Sequence, residues 1–172
     1  MEIETRRLRI RNFTENDAAD LYEILSDEET MELCEPVYTF EKTKAFLNEF
    51  CIGRNGAVAA VHKHDCKVIG YILFNELEKG IYEIGWFFNR AYWHQGFAFE
   101  ACKAVMDYGF ANLNAHMIFA ETIDYTKSVP LMEKLGMEQE EIQRGQATDI
   151  HGNPADLYVY KLQRESTGER PA

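Results

Sequence analysis

Leu8 and Ile10 alternate with Arg7, Arg9 and Arg11 across residues 5–12, and that period of two predicts a half-buried first strand. The period lengthens after Thr14. Ala18, Leu21, Ile24 and Leu25 recur at helical spacing, behind Glu15 and Asp17, whose carboxylates suit the positive end of a helix. Residues 28–38 are acidic and aperiodic and end near Pro36. A second helix is expected from about Thr39, with Phe40, Ala45, Phe46 and Phe50 turned inward. Apolar runs then predict strands at 57–62 and 67–75 around the polar turn Lys63-His64-Asp65-Cys66, and, after Lys79-Gly80, a strand at 82–88. A long helix at 96–110, a strand at 117–122 and a helix at 128–135 that Gly136 terminates follow. Two last strands, 138–144 and 156–163, flank a turn at His151-Gly152-Asn153-Pro154. The whole predicts one domain over residues 1–164 and a loose polar tail at 165–172.

The most specific chemistry sits in the strand-to-helix junction EIGWFFNRAYWHQGFAFEACKAVMDYGF, residues 83–110. A strand, a turn containing Gly96 and a helix start bring several backbone N–H groups around one point, at the positive end of a helix dipole. Such a cradle holds a pyrophosphate without cationic side chains. No Gly-Lys-Ser/Thr follows the glycine and no three spaced glycines are present, so the ligand expected is phosphorylated but neither ATP nor NAD. A side chain at Gly96 is expected to crowd the phosphates.

This run resembles the acetyl-coenzyme-A loop of the GNAT superfamily of N-acetyltransferases, Gln/Arg-x-x-Gly-x-Gly/Ala at a strand-to-helix junction. Trp93, Gly96 and Ala98 fall on its three defining positions, with tryptophan in place of the usual first residue. Tyr92, Trp93, Gly96, Ala98, Glu100 and Ala101 also match the run typical of the RimJ/RimL ribosomal-protein acetyltransferase branch. There His94 replaces a glycine, Phe99 a small hydroxyl residue and Arg90 a proline. Ser128 to Met137, SVPLMEKLGM, is similar to the helix Ser-x-x-x-x-Glu-Lys-Leu-Gly-Phe of that family, and Gly152, Asp156 and Tyr158 form a weaker echo. The element order agrees over about residues 5–162.

The resemblance implies an α/β (α+β) fold: a mixed, mostly antiparallel sheet with a central, splayed parallel strand pair, flanked by helices. It implies acetyl-CoA as co-substrate and no metal. The pyrophosphate would lie on the loop around Trp93, His94, Gln95, Gly96, Phe97 and Ala98, and backbone groups of Phe87 and Phe88 would face the pantetheine arm. Ser128 is the first candidate to protonate the leaving thiolate, with a helix cap as its plainer role, and Tyr125 is the second. Glu83 is a candidate base for the incoming ammonium, with a structural carboxylate as its plainer role. Glu32, Glu35 and Tyr38 would stand where acceptors dock. The implied reaction is transfer of acetyl to a primary amine by direct attack. The acceptor is a protein N-terminus or a small amine, and the alternative is a non-catalytic acyl-CoA-binding sensor or partner protein that keeps the fold.

Composition narrows the setting. The chain has 172 residues, 46% hydrophobic, without an apolar run long enough to span a bilayer, and its first residues are polar; no membrane association and a cytoplasmic location are expected. A formal net charge of −11 argues against nucleic acid as a partner and suits a cationic acceptor, with Glu28, Glu29, Glu32 and Glu35 clustered for long-range attraction. A homodimer stays open. Cys34, Cys51, Cys66 and Cys102 fit neither a zinc spacing nor a disulfide framework. His62, His64 and Cys66 span a tight hairpin with no fourth ligand, which disfavours a metal.

Overall fold

In the computed structural model, which describes residues 1–164, eight strands form one sheet in the order β1-β2-β3-β4-β5-β6-β8-β7. They are β1 (Glu2–Glu4), β2 (Leu8–Asn12), β3 (Ala57–His62), β4 (Lys67–Glu78), β5 (Ile81–Phe88), β6 (Met117–Thr122), β7 (Glu138–Thr148) and β8 (Pro154–Gln163). Every pair is antiparallel except β5–β6. The helices are α1 (Ala18–Leu25), α2 (Glu28–Met31), α3 (Phe40–Phe46), α4 (Phe97–Asn112) and α5 (Ser128–Lys134). This is the mixed, mostly antiparallel sheet with one parallel pair that the sequence leads one to expect. The expected tail at 165–172 lies outside the described residues.

Side-chain alternation along the strands makes two cores, one on each face. Leu8, Ile10, Ile72, Ile84 and Ile118 pack against Phe97, Val105 and Met106 of α4 and Val129 and Met132 of α5. Ala57, Ala59 and Tyr71 pack on the other face against Leu21 and Ile24 of α1, Met31 of α2 and Leu47 of the turn after α3. An extra β4 residue at Ile69, where Ala60 pairs with Gly70 but Val61 with Val68, is a bulge that switches the phase of the strand. Consequently Ile69 and Ile72, three residues apart and so on opposite faces of an unbroken strand, lie in the same core.

The first strand is two. Thr5 turns the chain, its N–H donating to the Leu8 carbonyl at 2.9 Å, so Glu2–Glu4 folds back as an edge strand and β2 starts only at Leu8. The acidic stretch expected to be irregular contains α2, started by the Asp27 carboxylate accepting from the Thr30 N–H at 2.9 Å and anchored by buried Met31. Phe40 and Ala45, expected inward, are exposed; Thr43 and Leu47 are buried in their place. Helix α3 runs into a π-helical turn, Leu47–Ile52, so a plain helical wheel continued through it picks the wrong face. Phe40 lies edge-on against Tyr22 at 5.4 Å.

A largely buried ion pair ties β2 to the first helical turn. Arg11 donates through both terminal nitrogens to Asp17 at 2.7 and 2.8 Å, and the Thr14 N–H donates to the same carboxylate at 2.8 Å. Burial pushes the Asp17 pKa up, but the hydrogen bonds from Arg11 and Thr14 outweigh it and hold the carboxyl below its ordinary value.

Candidate active site

β5 and β6 are hydrogen-bonded neighbours only at Ile81–Met117, Tyr82–Ile118 and Glu83–Phe119; beyond Glu83 they part. The ladder decides which backbone groups face the gap. The Asn89 N–H donates to Ile69 at 2.8 Å, and alternation along an antiparallel pair then commits Gly85 and Phe87 to β4. Ile84, Trp86 and Phe88 turn their backbone toward the gap. The Phe88 carbonyl is already used, accepting from Trp93 Nε1 at 2.7 Å. The backbone assignment for Phe87 is therefore corrected: its N–H and C=O belong to the ladder, and the open edge consists of the Ile84 C=O, Trp86 and the Phe88 N–H.

The gap opens into a cavity of about 770 Å³. At one end lie Trp93, His94, Gly96, Phe97, Ala98 and Phe99, the turn into α4. His94 has φ +58° and Gly96 φ +81°, both left-handed, which bends the chain sharply enough to aim successive N–H groups the same way. None of the N–H groups from His94 to Phe99 has a partner among the described residues. Six free donors at the start of a sixteen-residue helix suit a polyanion, and the chemistry of this set fits the phosphates of coenzyme A. Gln95 is the exception in the expected set: it is exposed, does not line the cavity, and its carbonyl accepts from Arg7 Nη1 at 2.9 Å. A β-carbon at Gly96 would meet Arg7 Nη2 at 3.5 Å, and the left-handed φ of +81° by itself favours glycine there.

The middle of the cavity carries the ionisable groups. Glu83 and Glu121 both line it. The register sets Glu83 opposite Phe119, so Glu121, two residues on, shares its face where the strands diverge. Neither carboxylate has an ion-pair or hydrogen-bond partner among the described residues. Burial, then the negative charge of Glu121, raises the Glu83 pKa above its ordinary 4.5. Glu121 escaped the sequence reading. Alternation with buried Ile118 and Ala120 marks its face, but only the parallel pairing brings it to Glu83.

Ser128 is half-buried in the cavity wall at the first residue of α5. It is not the cap. Lys127 occupies the cap position, and the Asp124 carboxylate satisfies the preceding turn by accepting from the Thr126 and Lys127 N–H groups, each at 3.0 Å. The Ser128 hydroxyl has no partner among the described residues. Tyr125 is 61% exposed, leans on Tyr158 at 5.3 Å between ring centroids, and lies outside the cavity.

Glu29, Thr30, Glu32, Leu33 and Cys34 close the other side. Their carboxylates are partnered: Glu29 with Arg90 at 2.8 Å and Glu32 with Lys127 at 3.8 Å, while Lys127 also sits 5.1 Å over the Trp93 ring. Asp27 completes the clasp on Arg90 at 3.2 Å. Glu35 and Tyr38 do not line the cavity. Tyr38 is buried and donates to Glu35 at 2.7 Å, and Glu35 pairs with Lys42 at 3.2 Å, a structural knot beneath the loop. His62 and His64 both turn Nδ1 to Asp65 at 2.8 Å, and Tyr92 donates to the same carboxylate at 2.6 Å. Among the described residues no cluster of three or more His, Cys, Asp or Glu is placed to hold a metal. None of the described helices is long and apolar enough to cross a membrane.

Comparison with known proteins agrees with this geometry. Residues 7–138 match the family model described as acetyltransferase (GNAT) domain. The uncharacterized N-acetyltransferase YnaD of Bacillus subtilis (strain 168) is 39% identical over 145 residues, covering 81% of this chain and 84% of that protein. A crystal structure of a GNAT-family acetyltransferase from Bacillus anthracis is 30% identical with a TM-score of 0.87, covering 95% and 98%. The fold is shared by the spermidine N-acetyltransferase of Vibrio cholerae, solved with CoA and spermine: TM-score 0.80, 19% identity, 92% and 96% covered. Solved structures described as a ribosomal-protein-S5-alanine acetyltransferase from Vibrio fischeri and a putative ribosomal-protein-serine acetyltransferase from Vibrio cholerae share the fold at 17% and 18% identity. With a splayed parallel pair, a donor-rich turn into α4 and a family match over most of its length, this chain belongs to the GNAT acetyltransferases.

Proposed function

We propose that the protein moves the acetyl group of acetyl-CoA onto a cationic primary amine, carried by a protein N-terminus or a small molecule, by direct attack in the β5–β6 gap. One observation carries this reading: a single cavity joins the unpaired amides of His94 and Gly96 to Phe99, the open backbone edge of β5 and a pair of unpartnered carboxylates. Acetyl-CoA supplies the activated thioester. The N–H groups of His94 and of Gly96 to Phe99 hold its phosphates, and the open edge at Ile84, Trp86 and Phe88 takes the pantetheine amides and polarises the carbonyl.

The amine arrives as an ammonium ion and must lose a proton to become nucleophilic. Glu83 accepts that proton, and its raised pKa brings it closer to the working range of a base near neutrality. Glu121 keeps Glu83 from being too weak a base and adds negative potential for the ammonium. Across the cavity the Ser128 Oγ–H, free of capping duty, donates to the thiolate as it leaves. Spermidine and ribosomal-protein acetyltransferases share this fold, which supports both acceptor types equally. The test is a mass-shift screen of cationic amines and N-terminal peptides with acetyl-CoA. A product carrying one added acetyl group is expected; hydrolysis of the thioester with no acetylated amine in the panel overturns the proposal.

A further inference from the structure

Arg7 stands beside the donor-rich turn; it does not line the cavity, but with Gly96, Phe99 and Glu100 it lines a second, more open one. Its backbone N–H and its Nε donate to the two oxygens of Glu100, at 2.8 and 2.7 Å, and the Thr5 hydroxyl donates to the same carboxylate at 2.6 Å. Its Nη1 donates to the Gln95 carbonyl at 2.9 Å, and the guanidinium carbon lies 4.0 Å over the centre of the Phe97 ring. One side chain thus grips the peptide before Gly96, the first residue of α4 and a carboxylate one turn further on.

In a trans peptide the C=O and N–H point opposite ways. A Gln95 carbonyl held against Arg7 therefore turns the Gly96 N–H to the far side, where Gly96 lines the cavity. The turn has two left-handed residues, His94 and Gly96, and needs an external hold to keep one shape. We infer that Arg7, locked in place by Glu100, is a positioning residue that aims the loop amides at the coenzyme's pyrophosphate without touching it. The inference rests on reading that loop as the pyrophosphate cradle. Geometry carries the effect, because the Glu100 carboxylate cancels the guanidinium charge. Burial pulls the Glu100 pKa up, but the Thr5 and Arg7 hydrogen bonds outweigh it and keep it ionised well below neutrality.

The experiment compares acetyl-CoA with S-acetylpantetheine, which carries the same thioester and no phosphates. The wild type should prefer acetyl-CoA in kcat/KM. Arg7→Met should cut that preference by about 10–100-fold, through KM for acetyl-CoA rather than kcat. Arg7→Lys keeps the charge without the planar fork and should behave like Arg7→Met. Glu100→Gln frees the guanidinium and should act in the same direction, with the double variant less than additive. Should Arg7→Met fail to fold, Arg7→Lys and Glu100→Gln carry the same comparison. Folded Arg7 variants that keep the wild-type preference overturn the clamp and leave the cradle standing. A wild type with no preference overturns the cradle and the clamp together.

Discussion

Glu83 carries a stability cost that comes with its position. Its folded pKa is raised above 4.5, so the native state gains from a protonated Glu83 and that gain is lost as pH rises from 4.5 through the folded pKa. Glu83→Gln, neutral at every pH, should therefore melt higher than the wild type at pH 8, and the advantage should vanish near pH 4. Loss of the base should lower kcat/KM by ~10²–10⁴-fold at the same time. In the wild type, kcat/KM should climb with pH as Glu83 ionises. Glu121→Gln removes the nearby charge and should move that climb to lower pH. Parallel melting curves and pH–rate profiles check both. A Glu83→Gln protein with full activity and no pH-dependent gain in melting temperature would mean Glu83 is only a wall residue.

The turn into α4 shows how far a local reading can reach. Gly96 as glycine and the helix start behind it follow from residue types, because a left-handed angle and free amides are intrinsic to such a junction. Which amides face the ligand, and that Gln95 turns away, depend on Arg7 some ninety residues earlier, and nothing local encodes that contact. Two substitutions should move stability in opposite directions. Gly96→Ala forces a side chain to φ +81° and should cost about 1–2 kcal/mol, while His94→Gly relieves φ +58° and should gain up to about 1 kcal/mol. Chemical denaturation of both variants measures this, and equal effects of the same sign would contradict the turn geometry.

The segment from Asp27 to Tyr38 makes the same point for charge. Its acidity is plain in the sequence, but its pairing with Arg90, Lys127 and Lys42 is not, since each cation comes from another element. The clasp consumes much of the attraction expected of four clustered glutamates. Glu35→Gln should leave KM for the amine within about twofold, because Glu35 serves Tyr38 and Lys42, whereas Glu32→Gln and Glu121→Gln should raise it. Their effects should shrink with added salt, as screening over roughly 8 Å at physiological ionic strength requires for partly exposed charges. Kinetics on the three variants at two salt concentrations decide it. A larger loss at Glu35 than at Glu121 would put the acceptor beneath the loop rather than in the gap.

Across the molecule, the sheet and its splay organise everything else. Strand and helix order was legible wherever a segment keeps one period, and the parallel β5–β6 pair was expected from the resemblance to the GNAT fold. What the chain alone could not give was the phase of long-range pairing: the Ile69 bulge, the commitment of Phe87 to β4, and the meeting of Glu83 with Glu121. Tyr125 illustrates the cost, since a residue three positions before Ser128 points out to solvent once the Asp124 turn and α5 are placed. The measurement that bears most heavily on the whole reading is steady-state release of free CoA from acetyl-CoA across a panel of cationic amines. The reading predicts saturable turnover with at least one primary amine and none with its tertiary counterpart, which has no proton to give up after attack. Tight, saturable CoA binding with no turnover for any amine would contradict it.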